Sequence, residues 1–155
     1  MIAGIAKALV QPFGMNPSWL SLALDLAKTA PDTTRPNPKV GCVLVAVDGK
    51  ILSQGHTQRT GGPHAEIMAL RDAAEKGHSV VGATAYVTLE PCSHRGRTGP
   101  CCDALIAAGI KKVVASFGDP NPKVAGQGFE RLRAAGVEVE VGPGAFESRE
   151  LNIGF

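Results

Sequence analysis

The sequence has no run of like charge. Its 16 lysines and arginines and 14 aspartates and glutamates leave a net +2 scattered along the chain, so no basic arm or stripe marks a nucleic-acid backbone as partner. It also has no secretory signal and no long apolar run. The stretch from Ile2 to Val10 is interrupted by Lys7, falls far short of the ~20 residues of a spanning helix and offers no clean small-x-small cleavage site. No membrane partner is therefore expected, and a cytoplasmic location is. Cysteine is scarce: Cys42, Cys92, Cys101 and Cys102, without a signal peptide, read as reduced thiols serving a metal or the core rather than as a disulfide framework.

What is present describes one globular domain. A chain of 155 residues buries roughly 70% of its unfolded surface without staples. The 44% hydrophobic and 19% charged content excludes disorder, coiled coil and collagen, while 19 glycines and 11 prolines indicate many tight turns. We expect one folded unit over residues 16–142, preceded by an extension over 1–15 and followed by a polar, weakly patterned tail over 143–155 that begins near Gly142-Pro143-Gly144.

Asn16-Pro17 has the form of a helix N-cap with proline at the first helical position, and Trp19, Leu22, Ala23, Leu26, Ala27 and Ala30 recur at helical spacing up to Pro31. Val40 to Val47 is nearly all apolar, and Asp48-Gly49 turns it into a second strand, Ile51 to Gly55, as a β-hairpin. An amphipathic helix follows from His64 to Gly77, then a buried strand from Ala83 to Leu89. A short helix from Cys101 to Ala108, a strand from Lys112 to Phe117, a helix from Gly128 to Ala135 and a strand from Val137 to Val141 complete a β-α-β-α-β alternation. Crossovers of this length favour parallel neighbours, so the expectation is an α/β fold: a mixed sheet of about five strands with helices on both faces and its chemistry at the strand ends. The pentapeptide Pro-Asn-Pro-Lys-Val occurs at both Pro36 to Val40 and Pro120 to Val124, with different neighbourhoods, and reads as shared turn chemistry rather than a repeat.

Three metal-ligating side chains stand at helix starts. His64 opens one helix, and Cys92 and Cys101 lie between a strand and the next. One imidazole and two thiolates suit zinc, and three protein ligands leave the fourth tetrahedral position open, as in catalytic rather than structural sites. The positive ends of the helix dipoles would help keep the thiols ionised. Glu66, two positions from His64, can sit beside the open position without binding the metal and carry protons to and from it. Histidine-x-glutamate followed by Pro-Cys and a further cysteine is the signature of zinc deaminases, although the cysteines here stand nine apart rather than three. Cys101 and Cys102 diverge by about 100° on a helix, so only one of them can face the metal.

Together with Pro36-Asn37-Pro38-x-Val40-Gly41, Thr88-Leu89-Glu90-Pro91-Cys92-Ser93-His94 with Gly96-x-Thr98, and Asp119-Pro120-Asn121-Pro122-x-Val124-Ala125-Gly126, these residues make the chain resemble the cytidine-deaminase-like superfamily. Within it, the resemblance is to the zinc-dependent pyrimidine deaminases of bacterial riboflavin biosynthesis, from about Asn16 to Phe155. It implies a three-layer α/β/α fold, zinc as cofactor, and hydrolytic deamination of 2,5-diamino-6-ribosylamino-4(3H)-pyrimidinone 5′-phosphate to the 5-amino-2,4-dione with release of ammonia. It further implies His64, Cys92 and Cys101 as ligands and Glu66 as proton shuttle. His94 and Arg97 would meet the ribose phosphate, and Asn37, Asp119 and Asn121 would line the pocket. Cys42 and Cys102 are left as packing residues. Many relatives carry a histidine seven residues before the metal-ligand histidine, where this chain has Thr57 with His56 adjacent. Many also continue into a reductase domain, to which the tail over 143–155 resembles a linker.

Simpler roles are expected for other residues: His56, His78 and Arg95 as solvated side chains, and Glu90 as a local brace of its loop by hydrogen bonding. The partner is expected to be a small pyrimidine ribosyl phosphate, and the chain to form a homo-oligomer of two or more copies. Two other functions fit less well. A zinc deaminase of another nucleoside, nucleotide or tRNA base is disfavoured by the long loop between Cys92 and Cys101. A non-catalytic zinc module would have no use for Glu66.

Overall fold

The computed structural model describes residues 17–30, 39–58, 62–91, 101–116 and 126–142. Four helices and five strands lie within them: α1 (Pro17–Lys28), β1 (Gly41–Val45), β2 (Ile51–His56), α2 (Ala65–Glu75), β3 (Thr84–Val87), α3 (Cys101–Ala107), β4 (Lys112–Ala115), α4 (Gln127–Ala134) and β5 (Glu138–Val141). The expected extension over 1–15 and tail over 143–155 lie outside the described residues.

The strands form one mixed sheet in the order β2-β1-β3-β4-β5. β1 is antiparallel to both neighbours, and β3-β4 and β4-β5 are parallel. Four strands consequently run one way and β1 alone runs the other. The carboxyl ends of β2, β3 and β4 lie along one rim of the sheet together with the start of β1. Each of those three strands leads into a helix that begins at the same rim, so the starts of α2, α3 and α4 converge there.

Every residue of β1 is buried, because β1 is interior to the sheet and is covered on both faces. Cys42 and Leu44 join Ala65, Ala69, Leu105, Val113, Phe129 and Leu132 in the core under α2, α3 and α4. Val43 and Val45 point to the opposite face and pack with Leu20, Ala23, Tyr86 and Val114 beneath α1. Leu105 and Leu132 are fully buried, and each such side chain contributes about 2 kcal/mol. The mixed five-stranded sheet with helices on both faces expected from the alternating pattern, and the three-layer α/β/α arrangement implied by the resemblance, are what is found.

Two glycines set how closely the helices lie on the sheet. A Cβ at Gly41 would overlap the Ala23 carbonyl of α1, and one at Gly55 would meet the Ala65 carbonyl of α2 at 2.7 Å. The hairpin turn comes earlier than the apolar run suggests. Ala46 N–H donates to the Lys50 carbonyl at 2.8 Å, which leaves Val47 in the turn and 86% exposed instead of in the strand. Gly49 has a left-handed φ of 90° there, and the Asp48 carboxylate accepts the Lys50 amide at 3.0 Å.

Candidate active site

His64 is the N-cap of α2, with extended backbone angles and no side-chain cap, so its imidazole is not engaged in capping its own helix. Its Nδ1 lies 3.3 Å from Sγ of Cys101, the first residue of α3. Two ligands on one zinc at ordinary Zn–N and Zn–S lengths with a tetrahedral angle stand about 3.6 Å apart. The pair therefore fits a shared metal ion, and its soft donor set suits zinc. Among the described residues no group of three metal-ligating side chains forms. Cys92, the third ligand expected from the sequence, lies outside them.

Cys102 points elsewhere. Its thiol donates to the carbonyls of Pro91 at 3.3 Å and Gly128 at 3.5 Å and is fully buried. Of the two adjacent cysteines, Cys101 makes the contact with His64, while the Cys102 thiol meets the Pro91 and Gly128 carbonyls.

Glu66 sits in the first turn of α2 and is 4% exposed. Cys42, across from it on β1, has its thiol pKa pushed well up, first by burial and then by the negative charge of Glu66. Cys42 is thus a neutral core thiol beneath the carboxylate, consistent with the packing role expected for it.

The rim is held by two buried hydroxyls. Thr57 accepts the Val40 amide at 2.8 Å and donates to the Val40 carbonyl at 3.3 Å. Thr88 accepts the Gly41 amide at 3.1 Å. Thr57 is 3% exposed and serves as a clamp on the start of β1. His56 is not the solvated side chain expected. It is half-buried, its Nδ1 lies 3.0 Å from the Thr57 carbonyl, and it lines a cleft of about 270 Å³ between β2 and α2 with Gln58, Met68 and Arg71. His78 is exposed, as expected.

Glu90 reaches much further than a local brace. Its Oε1 accepts the Gly126 amide at 2.9 Å, and its Oε2 accepts those of Gly128 at 2.7 Å and Phe129 at 3.2 Å, so the carboxylate caps α4 from a different segment of chain. A sequence signal exists for this contact. Gly126 is the α4 N-cap with φ of 84°, a residue that offers no side chain to the orphan amides of the first turn. Asn37, His94, Arg95, Arg97, Asp119 and Asn121 lie outside the described residues.

No helix among the described residues is long and apolar enough to cross a membrane. Residues 15–117 match the family model described as the cytidine and deoxycytidylate deaminase zinc-binding region. The chain is 58% identical over 137 residues to the riboflavin biosynthesis protein RibD of Escherichia coli (strain K12), covering 88% of this chain and 36% of that protein. It is 49% identical over 137 residues to the diaminohydroxyphosphoribosylamino-pyrimidine deaminase of Buchnera aphidicola subsp. Schizaphis graminum, covering 88% of this chain and 90% of that one. The solved diaminohydroxyphosphoribosylaminopyrimidine deaminase/5-amino-6-(5-phosphoribosylamino)uracil reductase of Thermotoga maritima superposes with a TM-score of 0.82 at 46% identity, over 88% of this chain and 38% of that one. The chain spans a little over a third of the length of the Escherichia coli and Aquifex aeolicus RibD proteins it matches. With its residues 15–117 matched and its fold shared with a solved relative, the chain belongs to the zinc-binding family of cytidine and deoxycytidylate deaminases.

Proposed function

We propose that this chain carries out the deaminase step of riboflavin biosynthesis, converting 2,5-diamino-6-ribosylamino-4(3H)-pyrimidinone 5′-phosphate to 5-amino-6-ribosylamino-2,4(1H,3H)-pyrimidinedione 5′-phosphate and ammonia. The observation that carries the reading is the near-complete match to a relative named for this deaminase alone, of which 90% is covered at 49% identity. The pairing of His64 with Cys101 beside buried Glu66 supports it, since it supplies two metal donors and a proton carrier at one rim of the sheet. His64, Cys92 and Cys101 are the ligands in this reading.

Zinc, when bound, supplies Lewis acidity that makes water a usable nucleophile near neutral pH. Glu66 takes a proton from the attacking water and delivers it to the ring nitrogen next to the amino-bearing carbon; it then takes the second proton from the hydroxyl now on that carbon and passes it to the amine, so that the carbonyl forms as the carbon–nitrogen bond breaks and ammonia leaves. Burial of Glu66 keeps bulk water from competing for those protons. Asn37, Asp119 and Asn121 orient the pyrimidine, and His94 and Arg97 hold the ribose phosphate, Arg97 through the bidentate grip that a guanidinium offers phosphate oxygens. The net charge of +2 without clustering supports a free small molecule rather than a nucleic acid as substrate. Among the described residues, Cys42, Cys101 and Cys102 form no disulfide with one another, which favours a reducing compartment such as the cytoplasm. A homo-oligomer is the accompanying reading, which sedimentation of the purified chain tests.

The test is ammonia release by the purified, zinc-loaded chain from the diaminopyrimidine ribosylamino phosphate, cytidine, deoxycytidylate and tRNA. Turnover of the first alone is expected. Preferential turnover of any other would overturn the reading.

A further inference from the structure

Three segments meet at the peptide Glu90-Pro91. From one side comes the first turn of α4, whose amides at Gly126, Gly128 and Phe129 all end on the Glu90 carboxylate. From the other comes the first turn of α3, where the Cys102 thiol donates to the Pro91 carbonyl and also to the carbonyl of Gly128, so that it touches both other segments. The fit is close: a Cβ at Gly128 would overlap the Pro91 carbonyl oxygen and stand 3.1 Å from Glu90 Oε2. Gly128 and Glu90 are both buried.

Ordinary capping would place serine, threonine, aspartate or asparagine at position 126, and the chain has glycine there. The cap comes instead from 36 positions earlier, two residues before Cys92. The other end of the arrangement is equally close to the metal donors, because Cys102 follows directly on Cys101, which stands 3.3 Å from His64. The node formed by Glu90, Cys102 and Gly128 therefore lies within two residues of each proposed thiolate ligand. Zinc donors must be placed to about 0.2 Å, and groups behind the ligands that fix their positions typically alter metal affinity 10- to 100-fold when changed.

We propose that Glu90 is a positioning residue of the zinc site: by capping α4 it locks the Glu90-Pro91 peptide between α3 and α4, and through the Cys102 contacts it holds the first turn of α3, from which Cys101 meets His64. The proposal rests on the reading of His64, Cys92 and Cys101 as ligands. Its consequence is that the start of α4, which contributes no ligand, is mechanically part of the metal centre.

The experiment follows zinc release from the loaded full chain to excess chelator, with cobalt-substituted protein as a spectroscopic readout of ligand geometry. Glu90→Gln keeps the size of the side chain but turns one acceptor into a donor facing an amide. Gly128→Ala presses on the same contact from the opposite side. Each is expected to release zinc at least 10-fold faster than wild type and to shift the cobalt absorption bands. Leu20→Ala, in the core on the other face of the sheet, serves as a destabilised control that keeps the wild-type release rate. If one of the two node variants folds too poorly to load, the other still reads the contact. Wild-type release and spectra in the node variants, or equal acceleration in Leu20→Ala, would overturn the proposal. Cys92→Ser separates the two readings: full zinc retention by that variant would overturn the ligand assignment itself, whereas loss of zinc there with unchanged release in the node variants would overturn only the role of Glu90.

Discussion

The imidazole Nδ1 of His64 and the thiol Sγ of Cys101 lie 3.3 Å apart although 37 positions separate them in the chain. Each stands where its helix begins, and those two helices follow strands β2 and β3, whose carboxyl ends share one rim of the sheet. The proximity is thus a product of topology. A sheet in which only β1 is reversed brings the starts of α2 and α3 together.

From this pairing follows a difference between two neighbouring cysteines. Cys101→Ser is expected to lose most of its zinc by elemental analysis. Cys102→Ser is expected to keep it, since a hydroxyl can still donate to the Pro91 and Gly128 carbonyls. Loss of zinc from the Cys102 variant with retention by the Cys101 variant would reverse the assignment.

Glu66→Gln keeps the shape of the side chain and removes its ability to carry a proton. Turnover should fall by roughly 10²- to 10⁴-fold while zinc content stays at the wild-type level. Ammonia release near the wild-type rate from a folded, zinc-loaded Glu66→Gln protein would exclude the proton-carrier role.

Gly41→Ala places a methyl group against the Ala23 carbonyl, a backbone atom in the middle of α1 that cannot swing aside as a side-chain end can. The expected cost is about 3 kcal/mol or more in urea unfolding. Stability close to wild type would mean that α1 can lift from β1 without penalty.

The Asp72 carboxylate accepts Lys76 Nζ at 2.9 Å and the Gln54 amide at 3.1 Å, tying α2 to the edge strand β2. Its pKa is lowered, chiefly by the hydrogen bond from Lys76, with burial opposing and the Gln54 amide assisting. A folded pKa below the unfolded one means that the stabilisation is present above the ordinary aspartate range, about 4, and is lost as the pH falls through the lower folded value. Because Lys76 is half exposed, the contribution is below about 1 kcal/mol. Asp72→Asn should therefore be slightly less stable than wild type at pH 7 and indistinguishable from it once Asp72 is protonated. A stability difference that grows toward acid would contradict the sign.

Most of the architecture was legible because each element is punctuated. Gly49, Gly77, Gly109 and Gly136, all with positive φ, stand at turns or helix ends where the sequence suggested them. The buried strand between Ala83 and Leu89 was equally legible in its apolar residues. What could not be read were contacts whose partners are far apart in the chain. The orientation of Cys102 away from His64 depends on the carbonyls of Pro91 and Gly128, and the reach of Glu90 depends on amides 36 to 39 positions away. Thr57 illustrates a different obstacle. Its residue type is equally at home on a surface, in a pocket or in a backbone clamp, and only the position of Val40 decides among them.

The sheet separates two cores, and among the described residues the candidate chemistry belongs to one of them. His64, Glu66 and Cys101 stand at the starts of helices on the α2–α4 face, while the layer of Leu20, Ala23, Val43, Val45, Tyr86 and Val114 beneath α1 contains none of them. Repacking that second layer, including the tilted contact of Trp19 and Tyr86 with ring centroids 5.3 Å apart, offers a route to a more heat-resistant enzyme whose metal chemistry is left as it is. Durability and reactivity would then be tuned by independent sets of substitutions.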